Sequence, residues 1–186
     1  MPETSPSLKL PLQFDASLLQ LDLALIRPEE WVPHFNRRYY EGIWSAVPLR
    51  SVGGHQLHIY PDPTKQAEYA DTELLARCGH LRDALAKFDC PLLSVRLLRL
   101  DAGSSIREHR DYNLSLEDGE VRIHVPVATS PKVEFYLDGV RTVMKEGECW
   151  YLNLNLPHRV ENQWDSPRVH LVIDCVVNDW LRDQLR

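Results

Sequence analysis

Four short pieces between Ser105 and Asp174 carry the side chains best able to do chemistry: Ser-Ile-Arg-Glu-His-Arg-Asp ending at Asp111, Arg122-Ile-His124, Pro157-His158-Arg159, and Arg168-Val-His170-Leu-Val-Ile-Asp174. His109 and Asp111 stand two apart in a strand-like run, so both side chains leave the same face and can grip one ion. His158 follows far enough along for the chain to cross a sheet and return. Two imidazoles and a carboxylate on one side of an ion, with the remaining positions open, form the ligand set of non-heme Fe(II) oxygenases. The same three groups also suit a hydrolytic zinc site with an open water position. A third reading is a binding module whose histidines only satisfy internal hydrogen bonds. By itself His-x-Asp is a common pair, and its ordinary place is a solvated turn.

Arginines collect around these candidates, at positions 96, 99, 107, 110, 122, 159 and 168, in a chain whose formal net charge is −6. The acidic balance argues against a nucleic-acid partner, which would call for a basic surface. A local positive field in an acidic protein points instead to a small anionic ligand, although most of the seven are expected to be solvated strand residues. The four cysteines, Cys78, Cys90, Cys149 and Cys175, show no Cys-x-x-Cys spacing, sit among apolar neighbours and are expected as buried reduced thiols.

The elements that must position these groups fall into two textures. With 186 residues, 44% hydrophobic content and five tryptophans, the chain suits one domain around a single core. Residues 1–13 read as a loose arm without the apolar core of a signal peptide, and no later run has the length of a membrane span, so a soluble cytoplasmic protein is expected. Residues 14–90 form a support region: a helical turn beginning Pro28-Glu29-Glu30, strand and loop from Tyr39 to Tyr60, and a helix from Asp71 to Phe88. That helix takes Asp71 or Thr72 as cap and an apolar stripe through Leu74, Leu75, Cys78, Leu81, Leu85 and Phe88.

Residues 91–177 read as eight short strands separated by polar turns: Leu92 to Leu100, Ile106 to Asn113, Val121 to Ala128, Val133 to Leu137, Val140 to Met144, Cys149 to Asn153, Arg159 to Trp164 and Val169 to Val177. Asp138-Gly139 marks a tight hairpin. This pattern predicts a sandwich or jelly roll, and residues 178–186 a short terminal helix capped by Asn178. Alternation puts Arg122 and His124 on one face of their strand and Arg168, His170, Val172 and Asp174 on one face of theirs, but periodicity leaves open whether those faces meet solvent or line a site.

The stretch from about Val95 to Val176 resembles the aspartyl/asparaginyl β-hydroxylase family of 2-oxoglutarate-dependent oxygenases. The resemblance is carried by His109-Arg110-Asp111, Arg122-Ile123-His124, Glu146-Gly147-Glu148 before a Trp-Tyr strand, Pro157-His158 and Arg168. Upstream, Tyr40-Glu41-Gly42-Ile43-Trp44 and Pro48-Leu49-Arg50 look like the family's approach to that core. The resemblance implies a mainly β double-stranded β-helix, a cupin-like jelly roll with flanking helices. It implies Fe(II) held by His109, Asp111 and His158, and 2-oxoglutarate held by Arg168 with help from His124. It implies O2 as the other cosubstrate, ascorbate as a reductant in vitro, and succinate and carbon dioxide as coproducts of hydroxylation. Arg122 matches a substrate-carboxylate residue, and Arg96 is a weaker second clamp. The substrate class implied is a free amino acid or an Asp/Asn-type residue in a peptide. Because some relatives lack the carboxylate ligand, Asp111 moves this chain toward the free-amino-acid branch that includes proline cis-4-hydroxylases. That branch carries an additional C-terminal helical region, whereas this sequence ends at Arg186.

Overall fold

The computed structural model describes residues 5–185. In chain order its elements are β1 (Ser7–Gln13), α1 (Ala16–Leu23), β2 (Val32–Pro33), β3 (Tyr40–Glu41), β4 (Trp44–Val52), β5 (Tyr69–Asp71), α2 (Glu73–Arg77) and α3 (Gly79–Leu85), followed by β6 (Leu92–Leu100), β7 (Ser105–His109), β8 (Glu120–Ala128), β9 (Val133–Leu137), β10 (Val140–Arg141), β11 (Glu148–Leu152), β12 (His158–Asn162), β13 (Arg168–Val176) and α4 (Asp179–Gln184). The strands form two antiparallel sheets. The larger runs β1-β11-β8-β13-β6-β4-β2 with β5 added to β4, and the smaller runs β10-β9-β12-β7-β3. This is the jelly-roll arrangement implied by the strand pattern.

The two faces of the larger sheet do different work. Odd-numbered residues of its central strands, among them Val121, Ile123, Val125, Val169, Leu171, Ile173, Val95 and Leu97, pack under the helices with Leu19, Leu81, Leu85 and Leu181. Burying that set supplies most of the apolar stabilisation, at roughly 25 cal/mol per Å² removed from water. A second cluster lies between the sheets and includes Trp44, Leu100, Ile106, Phe135, Leu152 and Val160. Even-numbered side chains therefore point into the space between the sheets. Both faces are buried instead of meeting solvent, which the alternation alone had left open: Arg122, His124 and Arg168 line a cavity, and His170, Val172 and Asp174 are buried beside them.

Three expectations about the support region and strand ends change. Within the supposed loose arm, residues 7–13 form β1 against β11, with Leu10 buried; residues 1–4 lie outside the described part. The helical turn expected at Pro28 is present, as the single 3-10 turn Pro28–Glu30. The helix from Asp71 to Phe88 is two helices broken at Cys78, whose φ and ψ are −107° and 79°. Thr72 caps the first, its side chain accepting from the Leu75 N–H. The second begins at a glycine and its Leu81 N–H donates to Asp22 Oδ2 of α1 at 2.7 Å, so a carboxylate distant in sequence supplies the partner that a helix start needs. Finally, β7 stops at His109 and β10 at Arg141, short of the expected ends at Asn113 and Met144.

Two glycines matter for these turns. Asp138 and Gly139 both have positive φ, 50° and 75°, which fits a tight hairpin whose twist matches its strands. At Gly147, with φ +77°, a Cβ would lie 2.1 Å from the Phe14 carbonyl oxygen, so the Glu146-Gly147-Glu148 turn and the end of β1 can meet only there. The cysteines carry free thiols; Cys78, Cys149 and Cys175 are buried as expected, while Cys90 is half-buried. Among the described residues, no helix is long and apolar enough to cross a membrane.

Candidate metal centre and anion pocket

His109 and His158 come together because β7 and β12 place them directly opposite each other in the ladder. Their ring centroids are 4.2 Å apart. The strand ends at His109, and the next turn carries Asp111, whose backbone N–H donates to the Leu154 carbonyl at 2.9 Å. One ligand atom from each of His109, Asp111 and His158 lies within 4.8 Å of the others. Both rings approach carbonyls through Nδ1, His109 with Arg107 O at 2.8 Å and His158 with Leu156 O at 3.0 Å. A carbonyl can only accept, so Nδ1 carries the proton in each ring and Nε2 keeps its lone pair for a metal. Burial lowers the pKa of His158 to about 4, assisted by the neighbouring His109. The donor set and the tautomers therefore fit a divalent ion of the kind that two imidazoles and a carboxylate hold.

Arg122 ties this triad to the larger sheet. Its Nη1 donates to Asp111 Oδ2 at 2.6 Å, while Nε and Nη2 donate to the two oxygens of Asp174 at 2.6 and 3.0 Å. Burial disfavours the guanidinium charge, but Asp174 and Asp111 overcome this and raise its pKa. Arg96 shares the same carboxylate, Nη1 donating to Asp174 Oδ2 at 3.2 Å and to Ser94 Oγ at 2.6 Å. Asp174 is thus a buried anchor for two arginines. Such outer partners orient metal ligands and tune their affinity.

Arg168 has a different environment. It is only 2% exposed, yet among the described residues its one hydrogen-bond contact is Nη2 with His170 Nδ1, at 2.9 Å, and Nε is buried without a partner. Burial alone depresses its pKa, to about 9. His124 lies nearby, with Nδ1 3.3 Å from His170 Nδ1 and Nε2 also buried and unsatisfied. A guanidinium cannot accept, so His170 Nδ1 is the acceptor at this junction. A buried cation with open donors is costly unless something negative comes to meet it.

All seven site residues expected from sequence, His109, Asp111, His158, Arg168, His124, Arg122 and Arg96, line one cavity of about 390 Å³ between the sheets. They do not stand as equals: Arg122 spends three donors on Asp174 and Asp111, whereas Arg168 has no acid. Sequence reasoning missed Asp174 and His170 as partners, although both share the inward face with Arg168, and missed His34, Trp44 and Tyr60 on the cavity wall. Those three lie outside the strand-rich half and carry no spacing signal.

The fold and this constellation define the class. The family profile of aspartyl/asparaginyl β-hydroxylases matches residues 18–177, and the chain belongs to that family. An L-proline cis-4-hydroxylase of Rhizobium meliloti (strain 1021) is 28% identical over 168 residues, covering 88% of this chain and 58% of that protein. The chain thus spans a little over half the length of this relative. Similar solved structures include a prolyl-4-hydroxylase of Pseudomonas putida, with TM-score 0.54 and 17% identity, covering 93% of each chain. HygX from Streptomyces hygroscopicus, solved with nickel and 2-oxoglutarate bound, has TM-score 0.58 and 14% identity over 95% of this chain and 85% of that one. At these identities the structural likeness concerns the fold alone.

Proposed function

We propose that this chain is an Fe(II)- and 2-oxoglutarate-dependent dioxygenase that hydroxylates an amino acid. The observation that carries the reading is Arg168: a deeply buried guanidinium with no acid partner and an unsatisfied Nε, lining the same cavity as a His-Asp-His cluster whose two Nε2 atoms are free. Family membership supports it, as does the relative's activity on L-proline.

When bound at His109, Asp111 and His158, Fe(II) would couple O2 to the oxidative decarboxylation of 2-oxoglutarate, giving succinate and carbon dioxide, and to hydroxylation of a carbon on the substrate. The protein's own side chains do the rest. Arg168 holds the distal carboxylate of 2-oxoglutarate by charge-assisted hydrogen bonds, which a planar guanidinium can make in pairs, with His124 beside it. Asp174 holds Arg122, and Arg122 holds Asp111 so that one carboxylate oxygen stays directed toward the metal. The substrate carboxylate is met by Arg96, whose hydrogen bonds to Ser94 and Asp174 both leave through Nη1, whereas Arg122, the other candidate, is engaged through Nε and both Nη atoms by Asp174 and Asp111. A zinc hydrolase would leave the acid-free Arg168 unexplained.

Removing a buried charged partner typically costs about 2–5 kcal/mol. Arg168→Ala should therefore weaken 2-oxoglutarate binding at least tenfold in calorimetric titration, while metal stoichiometry stays at the wild-type value. Unchanged affinity in a folded variant would refute the assignment.

A further inference from the structure

One wall of the cavity is aromatic and has no part in the metal or anion chemistry. The His34 and Trp44 rings stack at 3.9 Å with 10° between planes, and Phe35 meets Tyr60 edge-on at 4.8 Å. This corner is built into the backbone. The His34 N–H donates to the Trp44 carbonyl at 2.9 Å, the His34 carbonyl accepts from Tyr40 Oη at 2.9 Å, and Tyr60 Oη accepts from the Phe35 N–H at 3.0 Å. The Asn36 N–H donates to His34 Nδ1 at 3.3 Å, so the ring is held with its proton on Nε2, as a neutral donor. Burial, with Arg96 adding to it, keeps the imidazole pKa near about 4. Phe35 is 71% exposed, an apolar surface left for something to cover.

Charge is distributed unevenly around this wall. Among the described residues, the only acid lining the cavity is Asp111, which is taken by Arg122. Of the four lining arginines, Arg168 faces the cosubstrate's anion, Arg122 is held by two carboxylates, and Arg110 donates to the Asn155 carbonyl at 3.0 Å. Arg96 is left for one substrate carboxylate. The aromatic corner offers ring faces and neutral donors, the His34 and Trp44 N–H groups and the Tyr60 O–H, with no cation for a second carboxylate, and burying a carboxylate there without a cation would be heavily penalised.

We propose, resting on the oxygenase reading above, that the corner formed by His34, Phe35, Trp44 and Tyr60 is the subsite for the substrate's body. It selects an amino acid whose only carboxylate is the α-carboxylate and whose side chain is uncharged. Stacking and apolar contact hold the body, while Arg96 fixes the carboxylate.

The test is a panel of the twenty free amino acids plus a short aspartyl peptide, scored by stimulated 2-oxoglutarate consumption and by tryptophan fluorescence titration of the metal-loaded protein. An uncharged amino acid should stimulate at least tenfold more than aspartate, glutamate or the peptide. Phe35→Ala should raise the KM for that amino acid at least fivefold and leave the KM for 2-oxoglutarate unchanged. Phe35→Arg should move the ratio toward aspartate at least tenfold, a gain that misfolding cannot imitate. Preference for aspartate or the peptide, no stimulation by any uncharged amino acid, or equal changes in both KM values would overturn the proposal. Substrate-free 2-oxoglutarate consumption and binding report separately on the oxygenase reading, whose failure would appear as loss of both in the wild type.

Discussion

Arg168 and Arg122 show how the same residue type takes opposite roles within one cavity. Arg168 is buried without an acid and is the proposed anchor of the cosubstrate's anion; Arg122 is buried between Asp174 and Asp111 and so holds one of the proposed metal ligands. Asp174→Asn keeps the shape but removes the charge shared by Arg122 and Arg96. Breaking a buried ionic group by removing one partner is destabilising by about 3–5 kcal/mol, and loss of an outer partner typically costs 10–100-fold in metal affinity. The variant should show both losses, by urea denaturation and by metal titration; wild-type metal affinity would mean that Arg122 does not orient Asp111. Among the ligands, His109→Ala and His158→Ala should each abolish stoichiometric iron binding. Asp111→Ala should weaken iron binding less than either, since Arg122 then remains without its second acid but both imidazoles stay in place. Normal iron content in both histidine variants would place the metal elsewhere.

At the scale of elements, the strands that carry the site were readable because each is a run of branched or aromatic residues with period-two alternation. β6, β8, β9 and β13 fall within a residue of their expected limits. What could not be read was the direction of each polar face, because a strand with one apolar and one polar face looks the same whether the polar side meets water or a cavity. The decisive information is the second sheet, which places His158 opposite His109. The helix break at Cys78 was likewise invisible locally: the stripe from Leu74 to Phe88 continues through it, and the cap comes from Asp22 on another helix. Asp22→Ala should destabilise the fold by about 1–2 kcal/mol, the usual cost of losing a side-chain helix cap. Thermal unfolding would record this, with little change if α3 starts unaided. The arm at residues 7–13 looked loose because Pro11 and the polar residues before it suppress a strand signal, yet an edge strand tolerates proline and β11 supplies the pairing.

Considered as a whole molecule, the fold keeps four histidines neutral, His34, His124 and His158 on the cavity wall and His170 against His124. Burial, the largest cause in each case, lowers His34 and His158 to about 4 and holds His124 and His170 well below the ordinary histidine value. In the unfolded chain these groups titrate near about 6.5, so between that value and about 4 the unfolded state binds more protons than the folded one. Stability rises with pH through that interval: it is fully present above about pH 6.5 and is lost progressively as pH falls toward 4, each histidine contributing up to about 1.4 kcal/mol per pH unit within its window. The metal-free protein should therefore lose urea resistance steeply from pH 6.5 to 4.5. A bound divalent ion, which needs neutral imidazoles, should raise the resistance at each pH. A midpoint flat across that range would mean that the four rings are not held neutral by the fold.

The most direct measurement of the central claim is succinate formation from 2-oxoglutarate under air by the protein loaded with Fe(II), beside the same protein loaded with Zn(II) and the Fe(II)-treated His158→Ala variant. Succinate should accumulate, with ascorbate sustaining turnover, only in the Fe(II)-loaded wild type, and an accepted amino acid should accelerate it. Equal succinate from all three samples, or none from an Fe(II)-loaded wild type that binds 2-oxoglutarate, would contradict the assignment of this cavity as an oxygenase site.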